Sequence, residues 1–318
     1  MVVLFLSPAA NAADVTVECN KKKTTNFTSI NTALASLSKQ GPHTVHVSGN
    51  CKEAVVIDGF YSLTLVGDSP GASISDPTPS VPDDNDVIDI SYSRNVFVKD
   101  LTINGGSSGI ACFRFSNCDL QNLVVQGASD TGVLYVRSGD GVADNVTIQN
   151  TGFAGLQVLN GSNVAFGGGF LAEGTTSTIQ NNGNAENGAL GVNVLHNSTL
   201  FLANTTVQNH SNGDGVNVAF GSVLRVLGAT ITGSGGNGVS VETSQVLLQG
   251  ANEITGNVGN GVRLSHLSYL RAGGDKVISG NGAPDVNCSV STAKTRGTGG
   301  SGTETLGGGT TNCAEPAP

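Results

Sequence analysis

Residues 215–241, GVNVAFGSVLRVLGATITGSGGNGVSV, hold one whole unit of the repeat that decides the fold. Val216-Asn217-Val218 alternates apolar and polar side chains; Leu224 follows Val216 by 8 residues and Ile231 by 15, and Val239-Ser240-Val241 starts the phrase again. Such alternation is strand-like, with period two. Gly, Ser and Asn fill the intervals, and these residues suit tight or left-handed turns.

The opening phrase recurs at Ile88, Ile110, Val133, Leu156, Val192, Val216, Val239 and Val262, with starts 22, 23, 23, 36, 24, 23 and 23 residues apart. A second beat lies at Val96, Cys118, Val164, Leu200, Leu224, Leu247 and Leu270, and a third at Ile103, Val125, Ile148, Val207, Ile231, Ile254 and Val277. A fixed period of this length marks a solenoid. Three strands and three turns per unit make one rung of a parallel β-helix, an all-β fold of about ten rungs stacked roughly 4.8 Å apart. Leucine-rich repeats need a different Leu frame, and helical repeats need far less Gly than the 45 present.

An open solenoid end must be covered. Thr28 to Lys39, with Ile30, Leu34 and Leu37 at helical spacing and Thr28 or Ser29 as cap, predicts a short capping helix that Gly41-Pro42 ends. The expected organisation is a signal-peptide remnant over 1–13, an N-terminal segment with the helix over 14–42, the β-helix over 43–288 and a Gly-rich tail over 289–318. The run from Met1 to Ala13 ends Ala10-Asn11-Ala12-Ala13, as a secretory signal does, which places the protein outside the cell or in the periplasm.

Net charge is −9 and only 12% of residues are charged, so the basic face of a nucleic-acid binder is missing. No stretch approaches the roughly 20 apolar residues of a membrane span. Six Cys fit an oxidising compartment. Position favours Cys19 with Cys51, Cys112 with Cys118, and Cys288 with Cys313; two buried free thiols at Cys112 and Cys118 are the alternative. Asn197-Ser-Thr and Asn204-Thr-Thr read as members of Asn ladders in stacked turns.

Function in such a coil sits on outward positions. Four residues after each rung start the chain reads Tyr92, Arg114, Arg137, Asn160, His196, Phe220, Thr243 and His266. Arg114 and Arg137 then stand roughly 5 Å apart, where like charges repel. If Asp119, Asp140 and Asp144 neutralise them, the column is structural. Otherwise Tyr92, Arg114 and Arg137 are the candidate catalytic residues of a strip suited to a uronate-bearing polysaccharide. Arg clamps carboxylates, and Tyr or Arg accepts a proton in a β-elimination. Phe113, Asn160 and His196 are the candidate substrate contacts. His196 and His266 lie three rungs apart, roughly 14 Å, too far to share a metal, and read as surface histidines.

Three residues after each start come Phe113, Val136, Leu159, Leu195 and Ala219, flanked by Leu134, an apolar strip that calls for a contact. The long rung after Leu156 must carry two loops, around Gly167–Thr178 and Asn182–Gly191, and these are expected to fold over the strip. The alternatives are that they wall a groove, or that the strip supports self-association. Asp83, Asp84 and Asp86 in a Pro-rich loop could hold Ca²⁺ through carboxylate oxygens, or simply be solvated; no other cofactor is indicated. Asp89 is the only acid on the first beat of a rung, and the sequence lines up no second carboxylate beside it for paired-carboxylate hydrolysis.

The Gly-Val-x-Val and Ile-Thr-Gly-Asn phrases, as in Gly215-Val-Asn-Val and Glu253-Ile-Thr-Gly-Asn257, resemble those of right-handed parallel β-helix proteins of the pectate-lyase-like superfamily. Phe27-Thr-Ser-Ile-Asn-Thr-Ala through Val45-His-Val-Ser-Gly-Asn-Cys51 is similar to the capping helix and first rung of bacterial exported members. The resemblance implies the fold and a polysaccharide or cell-surface partner. It carries over no catalytic residue, because the polygalacturonase Gly-x-Asp-Asp, the epimerase Tyr-Gly-Phe-Asp-Pro-His, the pectate-lyase Asp-His pair and the methylesterase Gln-Asp-Thr-Leu are all missing. Two readings stand: an exported protein that binds polysaccharide or assembles at a surface, and a polysaccharide lyase or hydrolase of atypical motif.

Overall fold

The computed structural model describes residues 12–19, 27–78, 85–183 and 188–288, with 294–297 as backbone. The signal-like residues 1–11, Asp83, Asp84 and Cys313 lie outside them. Among the described residues the chain forms thirty strands and a single short helix. The first beats make a ten-stranded parallel sheet: Val55–Asp58, Ile88–Ser91, Ser108–Phe113, Thr131–Val136, Ala154–Leu159, Leu190–Leu195, Val216–Ala219, Val239–Glu242, Val262–Ser265 and Val286–Cys288. The chain is therefore a parallel β-helix of ten rungs. The sequence period gives eight of them; Val55 and Val286 open the other two.

All eight rung starts read from the sequence stack in one column, Ile88 on Ile110 on Val133 and so on to Val262, and each is fully buried. Burying each such side chain contributes about 1.5–3 kcal/mol, and only the stack can bury it. The second and third beats count as one twenty-stranded sheet, because strands Cys118–Gln126 and Gly141–Gln149 run through both.

Two beats shift by one residue. Leu224 and Leu270 pair with Val246, not Leu247, and Ile254 pairs with Ile278, leaving Val277 42% exposed. The connecting turns differ by one residue there, and a one-residue slip exchanges the two faces of a strand.

The Gly that precedes most rung starts answers to close approach. A Cβ at Gly132 would lie 2.2 Å from Ile148 Cγ2 and 2.7 Å from the Gly155 carbonyl oxygen, and Gly238 is equally crowded by Ile254 and Gly261. The first strand can meet the third beat of its own rung only if no side chain intervenes.

The helix spans Ile30–Ser36 and buries Ile30, Ala33 and Leu34 over the first rung. The Ser29 hydroxyl accepts from the Thr32 N–H at 3.3 Å, and the Glu53 carboxylate accepts from the Ile30 N–H at 2.7 Å, which satisfies donors every helix start leaves open. The helix ends at Ser36, with Leu37 already extended, so it is shorter than expected and Gly41-Pro42 do not stop it; they lie within the strand Gln40–Ser48. Disulfides join Cys19 to Cys51 and Cys112 to Cys118, so the free-thiol alternative does not hold. Cys288 is also disulfide-bonded; Cys313, its expected partner, lies outside the described residues. No described helix is long and apolar enough to cross a membrane.

Candidate functional site

The column four residues after each rung start forms the rim of the ten-stranded sheet's outer face. All eight residues, from Tyr92 to His266, are exposed and left-handed, with φ between 47° and 59°. A buried serine ladder fixes the turn beneath them. The backbone N–H of Ser93 donates to the Ser116 hydroxyl at 3.2 Å, Gly139 to Ser162 at 3.1 Å, Ser162 to Ser198 at 3.3 Å, Ser198 to Ser222 at 3.3 Å and Ser222 to Ser244 at 3.1 Å. Each hydroxyl satisfies an otherwise orphaned donor of the rung before it. Serine, not asparagine, builds this ladder, and its spacing was visible at Ser162, Ser198 and Ser222, each six residues after a rung start.

Arg114 lies with its guanidinium carbon 4.9 Å from the Phe113 ring centroid and 5.7 Å from that of Tyr92. Neither Arg114 nor Arg137 forms an ion pair among the described residues, where the carboxylate pairs all involve histidine. The acids expected to neutralise them are committed elsewhere. Asp119 accepts from the Val142 N–H at 2.9 Å, and Asp140 from the Asn163 N–H at 2.8 Å. Asp144 is fully buried and accepts from the Ala172 N–H at 2.8 Å, the Leu171 N–H and the Thr175 hydroxyl.

Asp89 gains the acidic neighbours that sequence spacing does not show. Burial, and then the charge of Asp86, push its carboxyl up to about 6; Arg114 opposes this and Asp58 adds to it. Its Oδ1 is shielded from solvent and has no hydrogen-bond partner among the described residues. Asp86 is itself raised, chiefly by burial, while its Oδ1 accepts from the Ser108 N–H at 2.9 Å. Asp58 accepts from the Ser91 hydroxyl at 3.0 Å.

The face continues upward from Asp89 as a floor one residue after each rung start. Gln157 and Asn193 are buried there, and Asn217 donates to Asn193 at 2.9 Å. Gln157 donates to the Thr131 hydroxyl at 2.5 Å. Along the rim, His196 and Phe220 stack on adjacent rungs, centroids 5.1 Å apart and planes within 7°. His266 Nδ1 lies 3.4 Å from Glu242.

The apolar strip sits between floor and rim. Phe113, Val136, Leu159 and Leu195 are half-buried, and Ala219 is buried. The first loop does not fold over it. Its Phe170 packs edge-on against Phe201, centroids 5.5 Å apart, on the outer side of the twenty-stranded sheet. The insertion follows Asn163–Gly167, a strand of that sheet, so it emerges on that side. The second loop is anchored through Gly183 to Thr151 and Leu190 to Phe153, before the ten-stranded sheet's strands begin, whereas the strip runs along their ends. Residues 184–187 lie outside the described residues.

This is the parallel β-helix fold. The chain is similar in structure to the A-module of mannuronan C-5 epimerase AlgE4 from Azotobacter vinelandii, at 15% identity and a TM-score of 0.59, over 85% of this chain and 83% of that one. It is similar to the enzymatically active domain of bacteriophage CBA120 tailspike protein 2, at 9% identity and a TM-score of 0.60, over 88% of this chain and 47% of that one. Pectate lyase Pel9A is similar at 11% identity and a TM-score of 0.56, over 89% of this chain and 78% of that one. At such identities the likeness establishes the fold and no activity. No protein-family model matches the chain, and no curated protein matches it in sequence.

Proposed function

We propose that the outer face of the ten-stranded sheet binds an acidic polysaccharide, with Arg114 and Arg137 receiving its carboxylates. One observation carries this reading: two exposed guanidiniums one rung apart, on left-handed backbone, neither in an ion pair among the described residues. Left-handed backbone costs a residue with a Cβ about 1–2 kcal/mol, and Asn tolerates it best. Asn160, in the same column, is what the turn itself favours. Tyr, Arg, His and Phe held there point to a use for the side chains. Rungs repeat at roughly 4.8 Å, close to the advance of an extended chain of pyranose rings, so successive sugars can meet successive rungs. The structural likeness to proteins named for pectate and mannuronan supports this choice of polymer. The disulfides suit an oxidising compartment, so we infer export.

Asp89 favours a second, catalytic reading. A carboxyl near 6 is a base at neutral pH. With Arg114 on the uronate carboxylate, the proton on the adjacent ring carbon would pass to Asp89. The C–H electrons would form the C=C bond, and the glycosidic oxygen would leave with its bonding pair and take a proton from solvent or Tyr92.

Acidic and neutral polysaccharides screened on a glycan array, beside absorbance at the unsaturated-uronate band, test both readings. Acid-selective binding weakened by salt is expected. Binding to no acidic glycan refutes the first reading; binding without an absorbance rise refutes the second.

A further inference from the structure

We propose that the site has a second, uncharged half at His196 and Phe220, so that it holds a polymer across at least five rungs and not a short end group. The inference rests on the acidic-glycan reading and deepens it. The rim changes character along the coil: Tyr92, Arg114 and Arg137 are aromatic and cationic, whereas Asn160, His196, Phe220 and Thr243 carry no fixed charge. From Arg114 to Phe220 is four rung steps, roughly 19 Å. Phe220 is 53% exposed and left-handed at φ 57°, doubly unfavourable for a phenyl group serving only the fold.

The geometry assigns the ring a partner. His196 covers one face of Phe220, and the next rung offers only Thr243 against the other. A shelf is left between Phe220 and His266, two rung steps or roughly 9.6 Å apart. That gap admits one ring stacked on Phe220, with Thr243 below and the His266–Glu242 pair beyond as hydrogen-bonding groups. A sugar ring has the apolar C–H face such a shelf takes, and half-buried Asn217, held by its bond to Asn193, presents its amide oxygen to the hydroxyls of the units between. The ligand is thus a continuous acidic glycan lying along the coil axis, clamped by charge at one end and by stacking at the other.

Calorimetric titration of oligouronides from disaccharide to octasaccharide tests this, using wild type, Phe220→Asn and Arg114→Asn. Asparagine suits the left-handed turn, as at Asn160, and an unchanged melting temperature shows that each variant folds. Affinity should rise with length until the chain reaches Phe220. Phe220→Asn should weaken only the longer oligomers, roughly threefold to tenfold, the scale of one aromatic contact, while Arg114→Asn weakens all of them. Length-independent affinity, or Phe220→Asn binding every length like wild type, overturns the inference and leaves the Arg site standing. If no oligomer binds wild type, the acidic-glycan reading fails and this inference with it.

Discussion

Arg114 stands one rung above Tyr92 with its guanidinium carbon 5.7 Å from the phenol centroid, exposed and in no ion pair among the described residues. Its side chain makes only solvent-exposed ring contacts, to Tyr92 and Phe113. Arg114→Asn should therefore leave stability within about 0.5 kcal/mol. Binding of an acidic glycan should fall about tenfold, the scale of one charge-assisted contact. Arg114→Lys should recover only part of the loss, since an ammonium lacks the planar fork. Denaturant melts and calorimetry on the same samples separate the two effects.

Asp89 makes the opposite contribution to an ordinary salt-bridged acid. Its folded pKa of about 6 lies above the usual 3.8, so the fold favours the protonated form. The favourable contribution is fully present below pH 3.8 and is lost as pH rises through 6. Asp89→Asn should stabilise the protein at pH 8 and change nothing below pH 3.8. Carbon-detected NMR of the carboxyl should show its midpoint near 6; a midpoint near 4 would remove Asp89 as the near-neutral base.

His210 runs the other way. It is buried, its Nδ1 accepts from the Asn182 N–H at 3.3 Å, and its Nε2 has no hydrogen-bond partner among the described residues. Burial pulls its pKa down to about 4. The fold prefers neutral imidazole, so its contribution is complete above pH 6.5 and fades as pH falls toward 4. His210→Asn places an amide like that of Asn182 or Asn257 in this inward column. The variant should flatten the fall in melting temperature between pH 6.5 and 4.

Asp144 pins the inserted loop to the coil. Burial works to raise its pKa, but bonds from the Thr175 hydroxyl and the Leu171, Ala172 and Gly169 backbone outweigh it and hold it below the ordinary carboxyl range. Asp144→Asn should cost about 1–3 kcal/mol, and hydrogen exchange at Leu171 and Ala172 should speed up first. Exchange unchanged at those amides would show that the carboxylate does not hold the loop.

Gly132→Ala tests the crowding between rungs. The added methyl must displace Ile148 and the Gly155 carbonyl, so roughly 1–3 kcal/mol should be lost. Gly59→Ala, with nothing within 4 Å but φ at 69°, should lose less.

The architecture was legible because burial enforces it rung by rung: an apolar residue that left the column at Val133 or Val216 would face water. The same rule explains the misread beats, since Leu247 and Val277 are as apolar as their neighbours Val246 and Ile278 and only register separates them. The rim column was legible because its spacing from the rung start is fixed. Asp89's neighbours were not. Asp58 comes from a rung start 33 residues earlier and Asp86 from the end of a Pro-rich loop, and no period relates either to Asp89. The first inserted loop lies on the other sheet from the one its length suggests, because the sequence shows that length but not which sheet the parent strand joins.

Equilibrium binding of a soluble polyuronate to wild type and to the double variant Arg114→Asn/Arg137→Asn tests the central claim most directly. The account predicts binding by wild type that weakens as salt is raised, and its loss in a double variant that melts at the wild-type temperature. A folded double variant that binds the polyuronate as tightly as wild type would contradict it.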